Sequence, residues 1–138
     1  MTDTNASAAY DFDSEETVDS FDLVIKTASG EPTGITITLA SPVHPQREAW
    51  ELQYKDRKRA ALARSKGDLK GLGSARDDLD DETEKLAVCT LGWAGSKTTY
   101  SKAAARALYA DPRRLHIRNQ VRAALDDAEL FTRRSAAA

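Results

Sequence analysis

Apolar and polar positions alternate along two segments in the first third of the chain. The apolar positions are Phe21, Leu23 and Ile25 in the first segment and Ile35, Ile37 and Leu39 in the second. A period of two, carried largely by β-branched residues, predicts two half-buried strands. The intervening TASGEPTG is rich in turn-forming residues, so we predict a hairpin over 21–40. Because an isolated hairpin is only marginally stable in water, this one has to lie on helices or pair with another chain.

A helical period replaces the alternation after the second strand. We predict four helices, over about 45–65, 75–91, 102–110 and 112–128. Pro45 suits the first turn of a helix, since its missing N–H needs no partner there. Ser74 followed by Asp77 resembles a capping box, and Ser101 and Asp111 are residue types that favour N-caps.

Two of these helices carry a stripe suited to packing. Trp50 and Tyr54 lie four residues apart on the first helix, on a stripe that continues to Arg57 and Ala61. We expect the two aromatic rings to rest on the hairpin, so that this helix covers the apolar face of the sheet. The core stripe of the last helix consists of Ile117, Val121, Ala124, Leu125 and Ala128.

Together these elements predict an α+β fold, with an N-terminal β-hairpin packed on a bundle of about four α-helices. We assign a single domain to residues 20–131. Residues 1–19 are acidic and mostly small or polar, and we predict a flexible tail that carries two conspicuous aromatic residues, Tyr10 and Phe12. Residues 132–138 are predicted to form a frayed C-terminus.

Composition restricts the class of protein. The chain has 138 residues, a net charge of −2 and one cysteine, which fits a reducing cytoplasm. It has neither the apolar run of about 18 residues that a membrane span needs nor a secretory signal pattern. Acidic blocks at 1–31 and 77–84 and basic blocks at 55–70 and in the last third favour faces that complement one another, within the fold or between copies.

Side chains that carry chemistry are few and scattered. His44, His116 and Cys89 do not have the spacing of a metal site or of a nucleophile–base pair. The glycines of GDLKGLG lack the order of a phosphate-binding loop, and the acids at 77–84 lack the calcium-loop spacing. We therefore predict no catalytic residue, no metal and no cofactor.

One long stretch of the second half has a familiar order of features. Residues 86–131 read LAVCTLGWAGSKTTYSKAAARALYADPRRLHIRNQVRAALDDAELF. This stretch consists, in order, of an apolar helix ending in GW, a short polar loop, a Tyr-Ser helix start, ARALYADP and IRNQVRAALDDAELF. This order resembles the small tail-assembly-chaperone-like and minor structural proteins of tailed bacteriophages. With the strand, turn, strand and charged helix that precede it, the resemblance spans about 21–131.

The resemblance implies a non-enzymatic tail assembly chaperone that binds the tape measure protein, or other tail proteins, in the cytoplasm of the infected bacterial host. It does not separate such a chaperone from a structural component of the virion, such as a minor tail or head–tail protein. A small DNA-binding regulator is a second alternative, although no aromatic residues are interleaved with the arginines and no recognition-helix motif is present. An open hairpin edge also allows a homo-oligomer.

Seven residues are candidates for contact with a partner or with another copy: Trp93, Tyr100, Leu108, Tyr109, Arg114, Arg118 and Arg122. Trp, Tyr and Arg dominate interface hot spots, although a Trp after Gly at a helix end is also typical of a core anchor. The arginines, four residues apart, predict a stripe that suits an acidic partner, a phosphate backbone or the acidic helix start of the same chain. Changing all three to Glu is expected to abolish partner capture and to leave the fold intact.

Overall fold

Four α-helices, a three-stranded sheet and a two-stranded sheet make up residues 9–66, 68 and 73–134, the part of the chain that the computed structural model describes. In chain order the elements are β1 (Glu15–Thr17), β2 (Ser20–Lys26), β3 (Pro32–Ala40), α1 (Pro45–Arg64), α2 (Ala75–Cys89), β4 (Thr90–Ala94), α3 (Lys102–Ala110), α4 (Leu115–Leu125) and β5 (Thr132–Arg134). The predicted α+β class is confirmed. The GDLKGLG segment at 67–73 lies largely outside the described residues.

The predicted hairpin is confirmed. β2 and β3 are antiparallel, with Leu23 opposite Ile37. Ile25, Ile37 and Leu39 are buried, and Leu23 packs against them from the edge of the core. The period of two in the sequence therefore marks the face of the sheet that the helices cover.

Capping side chains fix the starts of two predicted helices. His44 Nδ1 accepts a hydrogen bond from the Gln46 amide at 3.1 Å, just before α1. Ser74 Oγ accepts from the Asp77 amide at 3.2 Å, and Asp77 Oδ2 accepts from the Ser74 amide at 2.9 Å. The predicted capping box of α2 is therefore confirmed. The hydrogen bond from the Ser74 amide holds the pKa of the Asp77 carboxyl below its usual value.

A third strand follows α2 directly. We predicted a helix over 75–91, but α2 ends at Cys89 and β4 pairs with β3, with Trp93 opposite Ile37. Thr90 makes the transition, since its Oγ1 donates to the Leu86 carbonyl at 2.8 Å and its backbone is extended. The strand ends at Ala94. Gly95, the next residue, has a φ of +85° and lies so close to β3 that a Cβ there would be 2.1 Å from the Gly34 oxygen.

The two ends of the described chain pair with each other. β1 and β5 are antiparallel, with Glu16 opposite Arg133. The Arg133 side chain pairs with Glu16, and Arg134 Nε lies 2.9 Å from Glu15 Oε1. The predictions of a flexible tail over 1–19 and of a frayed end over 132–138 are therefore wrong for 12–17 and 132–134. Complementary charges join the two strands, and a 3-10 turn at Phe12–Ser14 precedes β1. Residues 1–8 and 135–138 lie outside the described residues.

The predicted last helix, 112–128, is divided into three parts. A 3-10 turn at Pro112–Arg114 precedes α4, and another at Ala128–Phe131 follows it. The second turn begins where Asp127 Oδ1 accepts from the Glu129 amide at 3.1 Å. It directs Phe131 into the core, where the ring is fully buried.

Helix α4, rather than α1, covers the apolar face of the main sheet. Gln120 fastens it to β2, since its Oε1 accepts from the Lys26 amide at 2.9 Å and its Nε2 donates to the Lys26 carbonyl at 2.8 Å. The expectation that Trp50 and Tyr54 clamp the hairpin is wrong. Their rings stack on each other, with centroids 5.0 Å apart, in a cleft beside α2. Arg47 is the buried residue of α1, and Leu52 and Leu62 are exposed, so this helix buries no apolar side chain against the sheet.

Ion pairs join the acidic and basic blocks within one chain. Arg57 and Lys58 of α1 each lie 3.6 Å from a carboxylate oxygen of Asp81 in α2. Arg106 of α3 donates to both oxygens of Glu84, at 2.8 and 2.9 Å. The predicted complementarity of the charge blocks is thus realised inside the fold, through pairs at or near the surface that each contribute about 0–1 kcal/mol.

A buried arginine closes one end of the sheet. Arg47 is 5% exposed, and its two terminal nitrogens donate to the carbonyls of Ala40 and Leu125, both at 3.0 Å. Its Nε lies 3.5 Å from Glu51 Oε1, an ion pair without a hydrogen bond. Because the last carbonyls of a helix lack helical partners, Arg47 completes the end of α4 while it joins α1 to β3.

Replacement of Arg47 by Met is expected to lower the free energy of unfolding by about 2–4 kcal/mol, since it leaves two buried carbonyls without donors. Urea denaturation measures the change. Arg59→Met, at an exposed position of the same helix, is the matched control and should alter stability by less than about 0.5 kcal/mol. Equal losses in both variants would contradict this role of Arg47.

Candidate functional site

An apolar groove opens between one end of the main sheet and helices α3 and α4. Its volume is about 390 Å³, within the range of roughly 300–1,000 Å³ found for ligand pockets. The apolar lining comprises Ile25, Ile35 and Ile37 from the sheet, Trp93 from β4, and Leu108 and Ile117 from the helices. Ala104 and Ala107 also face the groove, and their small side chains leave its centre open. We treat this groove as the candidate functional site.

Trp93 forms a fixed wall of the groove. Its Nε1 donates to the Thr98 carbonyl at 2.8 Å, and its ring meets Tyr100 edge-on with centroids 5.1 Å apart. The Tyr100 hydroxyl donates in turn to the Thr90 carbonyl at 2.8 Å. Trp93 is half-buried, so it is an anchor of the core on one side and a contact surface on the other. Tyr100 packs against the Trp93 ring and is not among the residues that line the groove.

Helix α3 points two adjacent predicted residues in different directions. Ser101 caps the helix by accepting from the Ala104 amide at 3.0 Å. Leu108 lines the groove, whereas Tyr109 is 1% exposed and its hydroxyl lies 2.6 Å from Thr90 Oγ1. Burial raises the pKa of Tyr109 to about 12. The structure therefore places Tyr109, which we predicted as a contact residue, in the core.

The polar rim of the groove includes Arg114, whose positive charge is available for contact with a partner. Asp111 Oδ1 accepts from the Arg113 amide at 2.9 Å and from Arg113 Nε at 3.2 Å. These hydrogen bonds hold the pKa of the Asp111 carboxyl below its usual value, so its charge is retained and matched by Arg113. Arg114 is exposed and, among the described residues, has no carboxylate within ion-pair distance.

The central arginine of the predicted stripe lies inside the protein. Arg118 is 6% exposed, and its Nη1 donates to the Tyr109 carbonyl at 2.7 Å and to Thr83 Oγ1 at 2.9 Å. Its Nε donates to Glu82 Oε1 at 3.0 Å, and its Nη2 reaches the Leu79 carbonyl at 3.3 Å. Of the three explanations for the stripe, pairing with the acidic helix start of the same chain is the one that applies to this residue.

The three arginines do not form one surface. Arg122 lies away from the groove, in the polar cleft of about 480 Å³ between α1, α2 and α4, where it donates to Glu82 Oε1 at 3.1 Å. Arg114 is on the groove and Arg118 is buried. The expectation that changing all three to Glu leaves the fold intact is therefore wrong, because a glutamate at 118 would be a buried negative charge next to Glu82.

Metal ligands are not grouped in the described residues, which contain no set of three or more His, Cys, Asp or Glu side chains arranged to hold an ion. None of the helices that the structure describes combines the length and the apolar character needed to cross a bilayer. No protein-family model, curated protein or solved structure matches this chain. The groove and the sequence resemblance are therefore the grounds on which a function can be proposed.

Sequence reasoning identified three groove residues and missed the rest of its lining. Trp93, Leu108 and Arg114 were candidates by residue type and position. Ile35 and Ile117 were assigned to the core, because alternation and helical stripes show which face is apolar but not how completely that face is covered. The sequence pattern does not distinguish an apolar position that is covered from one that lines a groove.

Arg118→Gln is expected to lower the free energy of unfolding by about 3–5 kcal/mol, since it leaves Glu82 and two backbone carbonyls short of a buried donor. The matched change Arg122→Gln should cost less than about 1 kcal/mol, because that pair is half exposed. Urea denaturation of both variants tests the assignment. A loss for Arg122→Gln that matches the loss for Arg118→Gln would contradict it.

Because of Tyr109, the free energy of unfolding is expected to fall as the pH rises through the alkaline range. Its pKa is about 12 in the folded chain and about 10 when unfolded, so the unfolded state loses this proton first. Its contribution is complete below pH about 10 and is lost as pH rises toward 12. Burial also raises the pKa of Cys89 to about 11, which acts in the same direction.

Tyr109→Phe should therefore show a shallower fall in the free energy of unfolding between pH 10 and 12, by denaturation at several pH values. The Cys89 contribution is shared by both proteins and cancels in the difference. At neutral pH the variant should lose about 1 kcal/mol through the missing hydroxyl contact with Thr90. Parallel pH profiles for the two proteins would contradict the assignment.

Proposed function

We propose that this chain is a non-enzymatic bacteriophage tail assembly chaperone whose groove binds a helical segment of the tape measure protein. The observation that carries the proposal is the open apolar groove with its fixed Trp93 wall. The sequence resemblance supplies the identity of the partner. The groove supplies a surface of the kind that proteins use to bind the apolar face of an amphipathic helix.

The groove favours a partner of particular chemistry. Its floor and walls present isoleucine, leucine and tryptophan side chains, which suit apolar residues of a helix at spacings of three and four. Arg114 on the rim favours an acidic residue beside that apolar stripe. A long helical partner that repeats this pattern would bind many copies, each weakly, and gain affinity through multivalency.

The positions of His44 and Cys89 support a binding protein rather than an enzyme. His44 uses its Nδ1 as the cap of α1. Cys89 is fully buried, and burial raises its pKa to about 11, so it is protonated at neutral pH. Both side chains already serve the fold.

The burial of Arg118 also favours the chaperone over a DNA-binding regulator. A stripe of three arginines could follow a phosphate backbone. Here, however, Arg118 is hydrogen-bonded to Glu82, and Arg114 and Arg122 border different cavities. Two separated cations are a weak electrostatic footprint for a duplex.

Binding of tape measure segments should depend on the groove. Titration calorimetry with the purified chain and peptides from the tape measure protein of the same phage provides the measurement. Leu108→Ser and Arg114→Glu should each raise the dissociation constant about tenfold or more. Leu52→Ser and Arg59→Glu, matched changes at exposed positions of α1, should leave it within about twofold.

Two further measurements separate the alternatives. Unchanged affinity in the groove variants would reject the groove as the site, and DNA binding that weakens steeply with salt would favour the regulator. Quantitative mass spectrometry of a phage lysate and of its purified virions distinguishes a chaperone from a structural component of the virion. Abundance in the lysate with absence from virions supports a chaperone, whereas a fixed stoichiometry in virions makes the chain a structural component.

A further inference from the structure

Two aromatic side chains project from the N-terminal part of the described chain. Phe12 is 87% exposed and Tyr10 is 63% exposed, and their rings meet edge-on with centroids 5.9 Å apart. An exposed pair of large rings marks a contact surface more often than a scattered apolar residue does. We call residues 10–14, YDFDS, the aromatic arm.

The aromatic arm has a defined conformation. Asp11 caps a 3-10 turn at Phe12–Ser14, with its Oδ1 accepting from the Asp13 amide at 2.9 Å. The Ser14 amide donates to the Asp11 carbonyl at 3.0 Å. β1 follows immediately and is fixed by its pairing with β5. The arm is therefore held out from the surface in one arrangement, which lowers the entropy that binding has to offset.

We propose that the aromatic arm of one copy occupies the apolar groove of a second copy, with Phe12 against the Trp93 wall. The groove is an apolar cavity open to solvent, and Phe12 is the most exposed of the large apolar side chains in the described residues. The arm supplies an exposed apolar ring, and the groove supplies an apolar cavity that can cover it. A Phe ring buries on the order of 150–250 Å² when covered, which makes it a suitable anchor.

Charge favours the same pairing. The arm carries Asp11 and Asp13 on either side of Phe12, and neither forms an ion pair in the described part of the chain. Arg114 on the groove rim has no carboxylate partner there either, since Arg113 matches the nearby Asp111. An acidic residue next to the inserted ring can therefore meet Arg114 when the arm enters the groove.

Distance favours the groove of a second copy over the groove of the same chain. The arm is anchored near the start of β2, since the Val18 amide donates to the Phe131 carbonyl at 2.7 Å and the Ser41 amide to the Asp19 carbonyl at 2.8 Å. The groove lies toward the other end of β2, where Ile25 is one of its lining residues. At about 3.3 Å per residue, five residues of strand separate these ends by roughly 17 Å. The three residue steps from Phe12 to Glu15, where β1 begins, span at most about 11 Å.

Because the arm and the groove lie toward opposite ends of β2, the proposed contact is head-to-tail. A heterologous contact of this kind adds copies without limit unless the rotation closes a ring. The inference does not depend on the identity of the partner in the proposed function. It does imply that an arm and a tape measure helix exclude each other from a given groove, so that the partner takes apart an assembly of copies.

Sedimentation velocity on the complete chain over a range of concentrations tests the proposal. The wild type should show a mass that rises steadily with concentration. Phe12→Ser, which removes an exposed ring, and Arg114→Glu, which reverses the rim charge, should each raise the dissociation constant of self-association about tenfold or more. Leu52→Ser and Arg59→Glu should associate as the wild type does.

Mixing the two variants tests the head-to-tail geometry. Phe12→Ser retains a groove and Arg114→Glu retains an arm, so their mixture should form a 1:1 dimer and no larger species. The double variant Asp13→Arg with Arg114→Glu should recover association that either single change weakens. A wild type that stays monomeric, a Phe12→Ser variant that associates normally, or a mixture without the dimer would overturn the proposal.

Partner titration keeps the two proposals apart. Phe12→Ser should bind tape measure peptides at least as tightly as the wild type, since it removes the competitor and keeps the groove. Arg114→Glu should weaken both self-association and peptide binding. Loss of self-association in Phe12→Ser with no peptide binding in any variant would reject the proposed function while supporting the arm–groove contact.

Discussion

The buried guanidinium of Arg118 is the constraint on which the arrangement of the helices depends. A charge taken out of water is costly unless a counter-ion and hydrogen bonds replace the lost solvation. Glu82 supplies the counter-ion, and Thr83 and the carbonyls of Leu79 and Tyr109 supply the remaining acceptors. These acceptors belong to α2 and to the last turn of α3, whose carbonyls have no helical partners. One side chain on α4 thereby sets the positions of three helices, and with them the width of the groove.

Local signals in the sequence predicted the elements that are stabilised locally. The hairpin was visible as an alternation of apolar residues, and Ser74 with Asp77 marked the start of α2. β4 was missed because TLGWA follows an apolar helix without a break and is too short to show alternation. β1 and β5 were missed because their pairing joins residues 117 positions apart, such as Glu16 and Arg133, and three-residue strands carry no period.

The candidate site was predictable by residue type but not by side-chain direction. Arg114, Arg118 and Arg122 look equivalent in the sequence, yet four residues of α-helix exceed one turn by about 40°, so the stripe winds around the axis. Arg114 also precedes α4, as the last residue of a 3-10 turn, so it does not share the helical register of Arg118 and Arg122. Whether an arginine is buried depends on an acidic partner on another helix, here Glu82, and that pairing is a tertiary property.

The pairing of β1 with β5 has a consequence for the order in which the chain folds. Its three residue pairs close a loop of more than a hundred residues, whose entropy opposes closure until the intervening helices have formed. These short strands should therefore assemble late and open first, as a unit with a local free energy well below that of the whole domain. The aromatic arm is attached to that unit. The arm is therefore held in position only once folding is complete, because an incompletely folded chain lacks the β1–β5 pairing that anchors it.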